Sequence, residues 1–88
     1  MASSGQITVA VAGTAQQGPA TSGQPTAIKA HVGNAGLGYV GNTGAGDVTS
    51  ANGFELSPGE GVTVRKPLAS FWFDVAISGD KFSWLELD

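Results

Sequence analysis

Chemistry in this chain has few side chains to work with. His31 is the only imidazole, and there is no cysteine. One histidine without thiolates does not make a zinc-type site. Serines and aspartates are present beside it, so a Ser-His-Asp set exists in composition. No nucleophile elbow or comparable motif positions one, and no catalytic residue is assigned. His31 reads instead as a half-exposed strand residue beside Lys29, on the face opposite Ile28 and Ala30. The acids Glu55, Glu60, Glu86, Asp47, Asp74, Asp80 and Asp88 are scattered, without the D-x-D-x-D-G spacing of a calcium loop. The glycine-rich run Gly41–Gly46 lacks the G-x-x-x-x-G-K-[ST] pattern, and no helix follows it to offer amide groups to a phosphate. The expectation is a non-enzymatic protein with no cofactor and no metal.

The aromatic residues say more. Trp72 alternates with Phe71 and Phe73, so it points away from their face. An outward Trp suits an interface anchor, because aromatic rings bury much area at small entropic cost. Covering of Trp72 by the polar stretch Gly13–Pro25 is the competing expectation. Trp84 shares a face with Phe82, while Leu85 and Leu87 occupy the opposite side. That strand is apolar on both faces, so it is central to a sheet or meets a partner. Trp72 and Tyr39 are also the two rings available for a carbohydrate platform. Trp72, Trp84, Tyr39, Leu85 and Leu87 are therefore the candidate interface residues.

The elements that must hold these residues are strands. Ile7, Val9 and Val11 alternate with small polar or Ala positions across Gln6–Ala12. Thr26–Val32, Leu37–Val40, Phe54–Leu56, Gly61–Lys66, Ser70–Ser78 and Lys81–Leu87 follow, and Val48–Ala51 reads as a short edge segment. Gly33–Gly36, Asn52-Gly53, Ser57-Pro58-Gly59-Glu60 and Ser78-Gly79-Asp80 supply turns. Pro58 followed by Gly59 fits the centre of a type II turn, which needs positive φ at the second position. Gly13–Pro25 reads as a polar connection. No segment carries a helical stripe. Short strands at roughly 8–12-residue spacing predict an all-β, small antiparallel β-sandwich, jelly-roll or Ig-like, of about seven to eight strands. Its expected core is Ile7, Val9, Val11, Ile28, Val62, Val64, Phe71, Phe73, Val75 and Ile77. Residues 1–5 are expected as a flexible N-terminal arm, and residues 6–88 as one domain.

Composition narrows the partners. Charged residues are 12% of the chain, about half the usual share. Glycine, at 14 of 88 residues, exceeds twice its usual frequency. A surface so poor in charge is weakly protected against association. The net charge is −3, with Lys29, Arg65, Lys66 and Lys81 the only Lys or Arg residues. Phosphate neutralisation takes clustered cations, so direct nucleic-acid binding is not expected. Met1–Gln6 shows no basic start leading into an apolar run, so no signal peptide is expected. No apolar run approaches the length of a membrane span.

Three stretches together form a pattern: TAIKAHVGNAGLGYVGN from Thr26, ANGFELSPGEGVTV from Ala51, and SFWFDVAISGDKFSWLEL from Ser70. The elements that carry it are Ile28-Lys29-Ala30, Asn34, Gly36, Tyr39-Val40-Gly41, Gly53 to Glu60, Gly79-Asp80 and Ser83-Trp84-Leu85. Over about 60 of the 88 residues this resembles small structural proteins of bacteriophage virions. The resemblance implies a β-sandwich subunit located on the virion, most simply a capsid decoration (cement) protein on the outer surface of the major capsid protein. It implies self-association as a homo-oligomer, a trimer first. Residues 1–6 and 13–25 would then serve as arms that order on docking. Another virion component (tail, neck or fibre) and a host-surface carbohydrate-binding module are the alternatives.

Overall fold

The computed structural model describes residues 4–41, 48 and 53–87. Among them are eight strands: β1 Ser4–Thr8, β2 Gln16–Gln17, β3 Thr26–Ala30, β4 Gly38–Gly41, β5 Phe54–Leu56, β6 Gly61–Val64, β7 Trp72–Val75 and β8 Lys81–Glu86. Among the described residues a 3-10 turn, Leu68–Ser70, precedes β7. The strands form two four-stranded sheets, ordered β1-β8-β3-β6 (sheet A) and β2-β7-β4-β5 (sheet B). Every pairing is antiparallel.

The order has a simple origin. β1 with β8, β2 with β7, β3 with β6 and β4 with β5 are the rungs of one long hairpin. Rolling that hairpin up brings β3 beside β8 and β4 beside β7, the two remaining pairings. This is the jelly roll, and it decides between the two sandwich types expected from the sequence.

Register fixes the faces. Ile7 stands opposite Phe82, Ile28 opposite both Trp84 and Val62, and Val40 opposite Phe73. The core lies between the sheets and comprises Ile7, Val9, Ile28, Ala30, Val40, Leu56, Leu68, Phe73, Val75 and Phe82. Phe73 and Phe82 meet across it with ring centroids 5.1 Å apart and planes tilted by 55°. Gly38 in β4 faces the Phe82 ring, and a Cβ there would stand 2.6 Å from its Cζ. Each fully buried aromatic ring contributes roughly 1.5–3 kcal/mol by area alone.

Two expected core residues are outside. Val11 is 58% and Ile77 is 47% exposed. The cause is strand length: β1 ends at Thr8 and β7 at Val75, so the alternation stops carrying side chains inward. Turns take over, with Thr14 N–H donating to the Val11 carbonyl and Asp80 N–H to the Ile77 carbonyl. Val62, Val64 and Phe71 pack on the core only partly. Leu68 and Phe82, absent from the expected core, are fully buried. β2 lies within the stretch read as a polar connection, paired with β7 through Gln16–Phe73 and Gln17–Trp72. β1 opens at Ser4, inside the segment expected as an arm. Of the Val48–Ala51 segment only Val48 is among the described residues, and it is buried. The Gly41–Gly46 run beyond Gly41, and Asn52 of the Asn-Gly turn, also lie outside them.

At one end of the sandwich side chains stand in for backbone. Asn34 donates through Nδ2 to the Lys81 carbonyl and accepts the Lys81 N–H through Oδ1, both at 2.9 Å. Its amide thus supplies the pair of bonds that a strand residue would make. Buried Asp80 accepts from the N–H groups of Ala35 and Gly36 at 3.0–3.1 Å. Asp74, also buried, accepts from Gly13 and Val75. At the other end Ser22 donates its hydroxyl to Glu86 at 2.6 Å and Thr21 accepts from Leu68 N–H, which ties the 18–25 strap across the sandwich.

Candidate interaction surface

The outer face of sheet A is built from the strand positions that alternate with the core. Register aligns Ser4, Leu85, Ala27 and Thr63 in one row, and Gln6, Ser83, Lys29 and Gly61 in the next, with Thr8 beside Lys81. The side chains over β3 and its neighbours are mostly small. They leave a trough of about 490 Å³ whose outward-facing lining is Ala27, Lys29, Gly61, Thr63, Ser83 and Leu85. A Cβ at Gly61 would lie 2.8 Å from the Ile28 carbonyl oxygen and 3.1 Å from the Lys29 Cβ, so glycine keeps this floor low. Leu85 and Leu87 are 52% and 54% exposed. β8 is central in its sheet, flanked by β1 and β3, yet its outward side is open.

The other candidate residues are placed differently. Trp84 turns toward the core and is half-buried; its indole Cζ2 would stand 3.1 Å from a Cβ at Gly5. Tyr39 lies on the outer side of sheet B but is only 6% exposed. Trp72 is half-buried on that same side, paired with Gln17 of β2 and with Gly41. Trp72 faces outward, with β2 of the 13–25 stretch running beside it. The structure thus brings Leu85 together with Lys29 on one face and leaves Trp72 on the opposite one.

His31 is half-buried, and its Nδ1 accepts the Gly33 N–H at 3.0 Å within its own turn. Among the described residues no three His, Asp or Glu side chains gather around a point that could hold a metal ion. The buried carboxylates Asp74, Asp80 and Glu86 are each engaged by backbone amides or a hydroxyl. No helix of the described residues is long and apolar enough to cross a membrane.

What sequence reasoning missed is the trough and its charge. Period-two alternation put Lys29 on the face of Ala27, but only pairing between strands sets Lys29 beside Ser83 and Gly61. Fold and surface together define an eight-stranded jelly-roll sandwich with one open, shallowly concave sheet face. Comparison with protein-family models, with curated proteins and with solved structures finds no match to this chain.

Proposed function

We propose that this chain is a non-enzymatic structural subunit of a phage particle, and in particular a decoration protein that seats on the outer surface of the major capsid protein. The observation that carries this reading is the outer face of sheet A, with Leu85 and Leu87 about half exposed above a trough of small residues. Such a face suits lasting contact, because its outward side chains are mostly small or apolar, with Lys29 and Lys81 its charged positions. The jelly roll accords with it, as this architecture recurs in viral shells; it also recurs in lectins, so the fold alone does not choose. Against a glycan platform stands the burial of Tyr39, which leaves of that pair only Trp72, itself half-buried.

Quantitative mass spectrometry of purified virions tests the proposal. A decoration protein is present at a copy number comparable with that of the major capsid protein. A few copies per particle would move the chain to the tail, neck or fibre, and its absence from particles would end the reading.

A further inference from the structure

We infer that the open edge of β1 pairs with the β1 edge of a second copy of this chain, antiparallel about a two-fold axis at Gln6, so that sheet A continues from one subunit into the next. The edge borders the outer face of sheet A and is not part of it, so this contact leaves the surface proposed for the capsid free.

The first observation is which edge is unguarded. Sheet A ends in β1 and β6, and sheet B in β2 and β5. Open edges template pairing with other chains, and proteins blunt them by shortness, charge or proline. β2 has two residues and β5 three. β6 follows Pro58 and Glu60 and runs directly into Arg65-Lys66-Pro67. β1 has five residues, SGQIT, with neither charge nor proline.

The second is where the β1 backbone points. Val9 N–H donates to the Asp80 carbonyl, in register with the β1–β8 ladder. Bonded pairs alternate along an antiparallel ladder, so Gly5 and Ile7 also turn their amides to β8. Ser4, Gln6 and Thr8 turn theirs to the open side. The bond from His31 N–H to the Lys81 carbonyl fixes the same phase from the other flank of β8. Among the described residues the outward backbone groups of Ser4, Gln6 and Thr8 have no hydrogen-bond partner, and neither do their side chains.

The third is that this edge complements itself. Setting Gln6 against its own copy aligns Ser4 with Thr8 on either side of the axis. Each of these pairs is of the bonded kind, which exchanges two hydrogen bonds. No charge on the strand opposes its copy. The Lys81 backbone positions of the two subunits stand about 20 Å apart, three strand spacings across and four residues along, which is beyond the screening length. The inner side of the seam is apolar. Gly5 falls opposite Ile7 of the second copy. Trp84 lies over Gly5, where its Nε1 would stand 3.2 Å from a Cβ. With no side chain in the way, the half-buried indole reaches the seam and meets that Ile7. An aromatic anchor beside the ladder adds burial at small entropic cost.

Sedimentation equilibrium of the purified full chain at low salt, from micromolar to millimolar concentration, tests the inference together with amide exchange by NMR. The mass should rise from 8.8 kDa to twice that and stop, because an isologous contact closes at two. A dimer then stands where the resemblance implies a trimer. The Gln6 and Thr8 amides should gain protection with association, while that of Ile7 is protected throughout. Gln6→Pro removes a donor from the open side alone, and should weaken the dimer about tenfold or more. Gln6→Lys and Gln6→Glu keep that donor. Each alone sets like charges together and should weaken pairing by roughly two- to fivefold, and their equimolar mixture should pair better than either. A wild-type chain that stays monomeric at millimolar concentration overturns the inference. So does a mass that levels off above the dimer, a mixture that pairs no better than its parts, or dimerisation that leaves the Gln6 amide unprotected. None of these results bears on virion copy number, so the proposed function stands or falls separately.

Discussion

Gly38→Ala probes the tightest point of the core. Gly38 is the β4 residue beneath the Phe82 ring, and an added methyl would sit 2.6 Å from Cζ and 2.8 Å from Cε2. Real contacts of this kind need about a further 1 Å. The ring has little room to retreat, because Phe82 is 0% exposed and its other neighbour, Phe73, is equally buried. Nor is there a backbone reason to keep glycine here, since Gly38 is not among the positive-φ residues. Overpacking therefore costs about 1–3 kcal/mol. Loss of chain entropy in the unfolded state offsets about 0.4–1 kcal/mol of it. The net loss is about 1–2 kcal/mol, which lowers the melting temperature by roughly 4–16 °C in a domain this small. Differential scanning calorimetry of Gly38→Ala, Phe82→Leu and the double variant measures it. The two changes should couple by about 0.5–3 kcal/mol in the compensating direction, because the smaller side chain makes room for the methyl. If Gly38→Ala melts at or above the wild-type temperature, or the two changes simply add, the stacking of β4 on β8 across the core is wrong.

Gly59→Ala should cost about 1–2 kcal/mol by thermal melt, because Gly59 has φ +88° and a Cβ there meets only open space apart from Val32 at 3.9 Å. The loss would be conformational strain rather than a clash. Asn34→Asp should destabilise by about 1–3 kcal/mol, since a carboxylate accepts the Lys81 N–H but cannot donate to the Lys81 carbonyl. Asn34→Ala should lose at least as much; equal stability of all three proteins by urea denaturation would show that the amide does not extend the ladder.

Much of this molecule was legible from residue order alone, because a strand's side-chain period is two and its punctuation is chemical. The alternation in Gln6–Ala12, Thr26–Val32 and Ser70–Ser78 placed three strands, and the Pro58-Gly59 pair announced a turn whose glycine has positive φ. Alternation does not say where a strand stops. Val11 and Ile77 continue the pattern by type yet fall in turns, because hydrogen bonding to a neighbouring strand, and not side-chain order, ends a ladder. Phe82 was assigned with Trp84 to one face, but its place as a core centrepiece depends on Phe73 arriving from the other sheet.

The interaction surface divides in the same way. Sparse charge and the apolar character of both faces of the last strand are properties of the chain, readable without a fold; that Leu85 stands half exposed is not. The trough, the grouping of Lys29 with Ser83 and Leu85, and the removal of Tyr39 from the surface belong to tertiary structure. They arise when residues far apart in sequence are set side by side by strand register, and register is fixed only once the whole hairpin has rolled and its apolar faces have met.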